Sequence, residues 1–221
     1  MELILVRHGE SLHNINASTS WDSKLSTNGR EQAILAAAEL KDEKIDEFWC
    51  SPMHRALETA NIIADNRNTP IKALINLSEH GYGWEEVGLS RSCIIADFPR
   101  IELPIEVDVD GWARHYKQES KVELYNRTKV ISEQIIQVAS KRKIKTLLVV
   151  THGKSGTELL KQLLHIPEES RLYFHMANCG ITRLFLDTEN NTTNVICVNY
   201  IQHLNHSVKV NHLSRRIPKY Q

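Results

Sequence analysis

Two apolar runs in this sequence end in the same pair of residues, a histidine followed by a glycine. The first reads LILVRHG from Leu3, and the second reads LLVVTHG from Leu147. A short, unbroken apolar run is typical of a strand buried on both faces, as in a mostly parallel sheet covered by helices. Both polar ends would lie at the carboxyl edge of that sheet, where α/β proteins bind ligands, and Gly9 would allow a sharp turn or a close approach. For either run alone, a solvated strand end is the alternative.

The rest of the chain alternates between helix-like and strand-like patterns. In Ser26–Lys41 a capping serine precedes apolar residues at helical spacing. A second helix is predicted to begin with Ser51 as its N-cap and Pro52 at its first position. The other predicted helices are Lys121–Ser140 and Lys154–Leu164, and the other predicted strands are Glu47–Cys50, Ile71–Ile75, Ile181–Asp187 and Asn194–Tyr200. The alternation predicts an α/β fold, a three-layer α/β/α sandwich with a mostly parallel central sheet.

Length and charge narrow the classes of protein. A chain of 221 residues, 41% of them hydrophobic, can form one sizeable core and does not require two domains. Its formal net charge of +0 argues against nucleic-acid and membrane-surface partners. We find no apolar run of membrane-spanning length and no signal peptide, so we expect a cytoplasmic protein. The four cysteines form no CxxC pair, and we expect reduced thiols.

Arginine joins histidine at the predicted edge of the sheet. If the two apolar runs form neighbouring parallel strands, His8 and His152 emerge side by side. Arg55 can reach them, because it lies one turn inside a helix that follows another strand and begins at the same edge. With Arg7, two permanently charged guanidinium groups then converge on two histidines, and each offers a fork of donors to phosphate oxygens. The pattern predicts a site for a phosphoryl group.

Five blocks of sequence carry a family resemblance. They read "LVRHGES", "LSTNGREQA", "SPMHRALETA", "LSEHGYGWEE" and "VVTHG", in this order, with weaker support from "NCGITRLFL". Together they resemble the histidine phosphatase superfamily, also called the phosphoglycerate mutase-like branch 1 family. The resemblance implies a single domain over residues 1–221 with a cap segment inserted at roughly 80–118. That segment and the chain after Tyr200 carry no block that resembles the family closely.

The resemblance also implies a mechanism. His8 would be the nucleophile, and a phosphohistidine intermediate would split one hydrolysis into two in-line transfers. Arg7, Arg55 and His152 would hold the three phosphoryl oxygens and stabilise the developing charge. Two nearby cations also disfavour protonation of His8. Because these side chains supply the positive charge, we expect no metal and no cofactor.

Two more residues are expected to bind the substrate. Asn14, six residues after His8, matches a phosphate-contacting asparagine in many members of the family. An ordinary loop asparagine is the alternative. The second expected substrate-binding residue is Gly153, which ends the block "VVTHG".

The leaving oxygen needs a proton, and the fourth block offers candidates for a general acid. The family pattern favours Glu79, with Leu77 and Trp84 as apolar surroundings that would raise a carboxyl pKa. Because two arginines would lower the same pKa, protonation of Glu79 would depend on the bound phosphate dianion. His80 is the alternative acid.

The same machinery serves more than one class of protein. A mutase acting on a polyanionic sugar acid needs extra basic side chains over the site, whereas residues 81–116 contain three arginines and seven carboxylates. We therefore expect a phosphomonoesterase acting on a small phosphorylated molecule, with a phosphoglycerate mutase-type phosphotransferase as the alternative. A phosphoprotein phosphatase and a non-catalytic phosphate-binding scaffold are less favoured. The sequence leaves the substrate and the oligomeric state open.

Overall fold

The computed structural model describes residues 1–65, 67–81, 87–113, 119–141 and 143–204. The strands are β1 (Glu2–Arg7), β2 (Glu47–Cys50), β3 (Ile71–Ala73), β4 (Ile101–Glu102), β5 (Thr146–Thr151), β6 (Ile181–Asp187) and β7 (Thr192–Tyr200). The helices are α1 (Thr27–Glu39), α2 (His54–Ile63), α3 (Arg91–Asp97), α4 (Lys121–Ser140) and α5 (Gly153–Leu163), and a short 3₁₀ helix spans Ile75–Leu77.

The seven strands form one sheet in the order β4-β3-β2-β5-β1-β6-β7. The pairs from β4 through to β1 are parallel, and β6 and β7 join antiparallel at the other side. The mostly parallel central sheet is therefore confirmed. Its central strands β1 and β5 lie next to each other, in the register Glu2↔Thr146 to Arg7↔Thr151.

Helices cover both faces of this sheet. Ile4 and Val6 of β1 belong to one apolar core with α1, α2 and α3. Leu3 and Leu5 face the opposite way and belong to a second core with α4 and α5. Alternate residues of one unbroken apolar run thus serve two cores, which confirms the three-layer sandwich.

Capping residues decide where the helices begin. Ser26 caps α1 by accepting from Gly29 N, and Ser120 and Glu123 form a capping box at α4. The prediction for α2 was wrong: its N-cap is Met53, and Pro52 precedes the helix. Ser51 N instead extends the strand ladder by donating to the Val150 carbonyl, and its hydroxyl turns towards His152.

Between β3 and α4 the structure differs more from the sequence-based prediction. β3 ends at Ala73, two residues before its predicted end, because the chain turns into the 3₁₀ helix. Neither α3, with seven residues, nor β4, with two, was predicted. Elements of that length are too short to show a clear periodicity.

Two findings concern the state of the cysteines and the search for membrane-spanning helices. All four cysteines are free thiols, and burial raises the pKa of Cys50 and Cys179. Among the residues that the structure describes, no helix combines the length and the apolar character needed to cross a bilayer.

Candidate active site

The two strand-end histidines lie side by side. His8 follows β1 and His152 follows β5, and because these parallel strands are neighbours, the ring centroids are 5.0 Å apart. Both residues are buried, at 2% and 0% exposure. We call Arg7, His8, Arg55 and His152 the strand-end group.

Gly9 packs closely against the backbone at the start of α1. A Cβ at Gly9 would lie 2.4 Å from the Gly29 carbonyl oxygen, so only glycine lets this backbone approach the start of α1. The Gly9 N–H donates to Thr59 Oγ1 of α2. These contacts fix the loop that carries His8.

The hydrogen bonds of His8 define which ring nitrogen is available. Nδ1 lies 2.6 Å from the Gly9 carbonyl oxygen and must carry a hydrogen to donate to it, whereas Nε2 accepts from Arg55 Nε at 3.1 Å. Burial, and then the charges of Arg55 and Arg7, hold the pKa of His8 well below its usual range. His8 is therefore a neutral imidazole at neutral pH, with the lone pair of Nε2 directed at the arginine side of the site.

Both arginines are anchored by backbone carbonyl groups. Arg7 donates from its Nη1 to the Met176 carbonyl at 2.6 Å. Arg55 donates from its Nη1 to the Trp21 carbonyl at 2.5 Å, while Nη2 contacts Met53 Sδ. Arg55 lies in the first turn of α2, and its side chain is buried. Anchors of this kind orient the positive charge before any ligand arrives.

His152 has a partner that the sequence did not identify. Its Nε2 lies 2.7 Å from the Ser51 hydroxyl, while its buried Nδ1 has no hydrogen-bond partner among the described residues. Burial first, and then Arg55, lower the pKa of His152 well below its usual range. When the Ser51 hydroxyl donates to Nε2, the hydrogen of the neutral ring is on Nδ1, which can donate to a ligand oxygen. The capping pattern around Ser51 in the sequence gives no sign of this contact.

Glu79 lies at the N-terminus of α5, beside the strand-end group. Its carboxylate accepts from the backbone N–H groups of Gly153, Lys154 and Ser155 at 3.0–3.2 Å. Arg7 Nε and Glu79 Oε2 both come within 3.8 Å of the Cβ position of Gly153, so a side chain there would border both groups. The structure thus brings Glu79 and Gly153 to the site.

The expected apolar surroundings of Glu79 are not what its contacts show. Leu77 is buried in the core with α4 and α5, and Trp84 lies outside the described residues. The direct partners of the carboxylate are backbone N–H groups, His80 N included. A helix N-terminus supplies such donors because its first N–H groups have no partner within the helix.

Residues 78–81, here called the acid loop, are held by an arginine from α4. Arg127 Nη1 donates to the carbonyls of Asn76 and Ser78, at 2.6 and 2.9 Å. Its other nitrogens form a two-pronged ion pair with Glu119, and both side chains are at most 8% exposed. His80 follows in the same loop, and burial lowers its pKa. The two candidate acids, Glu79 and His80, are therefore neighbours in one loop.

Asn14 lies in an exposed loop next to the site. Its Oδ1 accepts from Ser11 N at 3.1 Å and from Asn178 Nδ2 at 3.3 Å. Asn178 is buried and also donates to the His8 carbonyl. It lies in the block "NCGITRLFL", whose weaker resemblance was the only signal that could have found it.

The geometry fits a tetrahedral oxyanion. A neutral imidazole presents a lone pair, two anchored guanidinium groups and a second imidazole surround it, and a carboxyl lies at the rim. Within the described residues no three His, Cys, Asp or Glu side chains are grouped as metal ligands. Two surface cavities of about 360 and 380 Å³ lie elsewhere, and no member of the strand-end group lines them.

Comparison with known proteins gives consistent results. The sequence profile of the histidine phosphatase superfamily (branch 1) matches residues 3–199. A putative phosphoserine phosphatase 2 of Hydrogenobacter thermophilus is 28% identical over 86% of this chain and 92% of its own length. A 2,3-bisphosphoglycerate-dependent phosphoglycerate mutase of Thermoplasma acidophilum is 43% identical, but the match covers only 36% of this chain and 42% of that mutase.

Solved structures share the fold. The phosphoserine phosphatase of Entamoeba histolytica, crystallised with 3-phosphoglyceric acid, has a TM-score of 0.66 at 23% identity, covering 92% of this chain and 99% of its own. The alpha-ribazole phosphatase of Shigella flexneri has a TM-score of 0.66 at 21% identity, covering 90% and 96%.

Proposed function

This chain belongs to the histidine phosphatase superfamily (branch 1), and on that premise we propose that it is a metal-independent phosphomonoesterase acting on a phosphorylated small molecule. The observation that carries the proposal is the state of His8. A buried, neutral imidazole whose Nδ1–H is held by a carbonyl has its Nε2 lone pair free to attack phosphorus once a substrate displaces Arg55 Nε.

The first half of the reaction transfers the phosphoryl group to His8. The Nε2–phosphorus bond forms as the bond to the leaving oxygen breaks, and positive charge develops on the ring. The Gly9 carbonyl accepts from Nδ1–H and stabilises this charge. Arg7, Arg55 and His152 donate to the three phosphoryl oxygens. Glu79, protonated while the phosphate dianion is bound, gives its proton to the leaving oxygen.

The second half returns the enzyme to its starting state. A water molecule attacks the phosphohistidine on phosphorus and gives its proton to the Glu79 carboxylate. The nitrogen–phosphorus bond breaks, inorganic phosphate forms, and His8 is again neutral. Glu79 thus acts as acid and then as base, next to the three backbone N–H groups that bind its ionised form.

Further assignments belong to the same proposal. Asn14 and Gly153 contact the substrate, and the chain forms one domain with a cap segment inserted at about 80–118. The cytoplasmic location expected from the sequence remains a prediction, as does the expectation that the protein acts without a nucleic-acid or membrane partner.

Hydrolysis is favoured over phosphoryl transfer by the inserted segment. Two of its three arginines are used within the fold: Arg91 donates to the carbonyls of Val107 and Pro104, and Arg100 donates to that of Ala64. Neither is therefore placed to form the second anion subsite that a mutase needs. Relatives named as phosphoserine phosphatases and as phosphoglycerate mutases both occur, so the two activities must be compared directly.

Turnover of a panel of phosphomonoesters, run beside a mutase assay with phosphoglycerates, tests the proposal. The panel includes phosphoserine, alpha-ribazole phosphate and p-nitrophenyl phosphate, all assayed with excess EDTA. We expect phosphate release that survives chelation and exceeds any phosphoglycerate interconversion. Faster interconversion than hydrolysis would favour the mutase, and activity restored only by a divalent ion would contradict a metal-independent enzyme.

A further inference from the structure

Near Arg55 lies a partly buried carboxylate, Asp22, that the mechanism does not use. Asp22 is in the loop before α1, and its Oδ1 accepts from His54 N at 2.7 Å. Because His54 is the first residue of α2, this bond holds the start of the helix one residue before Arg55. Burial raises the pKa of Asp22, while the His54 N–H bond and the charge of Arg55 favour its ionised form.

The other oxygen of the same carboxylate reaches the inserted segment. Trp112 donates its indole N–H to Asp22 Oδ2 at 3.1 Å, and Trp112 is only 2% exposed. Trp21 lies edge-on to Trp112 with ring centroids 5.3 Å apart. Gly88 permits this arrangement, since its φ is +71° and a Cβ there would lie 2.2 Å from the indole nitrogen.

The residue next to Asp22 holds Arg55 directly. The Trp21 carbonyl accepts from Arg55 Nη1, so one dipeptide binds both the backbone of α2 and the guanidinium group. Burial lowers the pKa of Arg55, and the negative charge of Asp22 is the largest opposing influence. Asp22 therefore helps to orient the Arg55 side chain and offsets its positive charge.

We propose that Asp22 is a positioning residue that orients Arg55 towards the phosphoryl group and connects it to the inserted segment through Trp112. This inference rests on the proposed function, in which Arg55 binds phosphoryl oxygens. Its consequence is that a substrate contact which moves Trp112 also changes how Arg55 is presented.

The test replaces Asp22 by Asn, which keeps an oxygen for His54 N but removes the charge. We expect Asp22→Asn to lower kcat/KM for p-nitrophenyl phosphate by about 10- to 100-fold, the usual effect of losing a supporting contact. The Kd of inorganic phosphate, measured by calorimetry, should rise in parallel. Trp112→Phe removes only the indole N–H donor and should cause a smaller change in the same direction.

A double-mutant cycle shows whether Asp22 acts through Arg55. In an Arg55→Lys background, which lacks the anchored fork, Asp22→Asn should change kcat/KM by less than about threefold. Asp46→Asn is the matched control, because Asp46 likewise accepts two N–H bonds, here from the backbone of Lys145 and Thr146, but at the far end of the sheet. It should lower Tm and leave kcat/KM and phosphate affinity within about twofold of wild type.

Three results would overturn the inference. One is an Asp22→Asn variant with lower Tm but wild-type kcat/KM and phosphate affinity. Another is a full Asp22→Asn effect in the Arg55→Lys background, which would mean that the two residues act independently. The third result applies if Asp22→Asn does not fold: it is a Trp112→Phe variant that binds phosphate with wild-type affinity. The phosphate Kd needs no turnover, so a wild-type protein that binds phosphate but hydrolyses no ester contradicts the proposed function and leaves this test intact.

Discussion

The strand-end group and the acid loop form two sides of the candidate site, yet they are held in place by different interactions. His8 and His152 follow neighbouring parallel strands, so the backbone ladder of the sheet sets their separation. The acid loop is held by contacts between residues distant in sequence, because Arg127 donates to the Ser78 carbonyl and Glu79 accepts from N–H groups at the N-terminus of α5. The first side is therefore fixed by register, and the second by a few individual contacts.

The two sides also have different roles in the proposed mechanism, since one transfers the phosphoryl group and the other supplies a proton. In the proposed mechanism the strand-end group binds and transfers the phosphoryl group. The acid loop, which continues into the inserted segment, supplies the proton to the leaving group in the same mechanism. Substitutions on the two sides should therefore differ in how strongly they depend on the leaving group.

The largest effect is expected from His8→Ala, which removes the nucleophile. We expect a loss in kcat on the order of 10⁶, as removal of a hydrolase nucleophile can cause, with every substrate alike. Brief reaction with a ³²P-labelled phosphoester should leave acid-labile label on His8 of the wild-type protein and none on this variant.

His13→Ala is the control for that prediction, because His13 is exposed and five residues away. It should be labelled as the wild type is. His152→Ala should react slowly and still accept label on His8. Label that maps to His152, or that persists in His8→Ala, would reverse the roles of the two histidines.

Glu79→Gln should give a loss that depends on the leaving group. With an alkyl phosphate, whose alkoxide must be protonated, we expect about 10²- to 10⁴-fold lower kcat. With p-nitrophenyl phosphate the loss should be much smaller, because nitrophenolate leaves without a proton. His80→Gln, in the same loop, should affect both substrates only slightly. Equal losses on both substrates would mean that Glu79 positions the site and donates no proton.

The sequence predicted the sheet and the strand-end group because both follow from local patterns. Apolar runs, capping residues and helical spacing are local, and the bounds of β2 and α4 were predicted to the residue. Once β1 and β5 are neighbours, the meeting of His8 and His152 follows from chain direction alone.

The contacts that support the site could not be predicted in the same way. The Ser51 hydroxyl meets His152 across 101 residues, and Asp22 meets Trp112 across 90. Such pairs depend on how loops pack, and no periodic pattern in the sequence indicates that packing. The start of α2 was missed for the same reason, since a local capping rule ignored the strand ladder that Ser51 continues.

The ion pair behind the acid loop should matter more for stability than a surface pair does. Arg127→Met leaves the buried Glu119 carboxylate without its partner, and we expect a loss of about 3–5 kcal/mol in the free energy of unfolding. Lys72→Met, which breaks an ion pair whose lysine is 45% exposed, should cost at most about 1 kcal/mol. Urea denaturation measures both.

A double variant then separates stability from loop position. Arg127→Met with Glu119→Gln removes the unpaired charge and should recover much of the stability. The carbonyls of Asn76 and Ser78 would still lack their donor, so activity on an alkyl phosphate should stay reduced. Full recovery of that activity would mean that the acid loop does not depend on Arg127.

The smallest expected effect is on how the free energy of unfolding depends on pH. It distinguishes the buried histidines from His80. The pKa values of His8 and His152 lie well below the usual value of about 6.5, so the folded protein keeps both neutral where the unfolded chain binds protons. The free energy of unfolding should therefore fall as pH falls below about 6.5, by up to about 1.4 kcal/mol per pH unit for each histidine. Above that pH neither state binds these protons, and the contribution is constant.

Urea denaturation between pH 5 and 7, in buffer without phosphate, measures this slope. His152→Gln cannot titrate and should flatten it by up to about 1.4 kcal/mol per pH unit. His80→Gln should flatten it less, because His80 is only partly buried. A slope in His152→Gln equal to that of the wild type would mean that His152 accepts a proton in the folded protein. The strand-end group would then bind phosphate with a third cation, and burial would no longer be a sufficient explanation for a neutral His8.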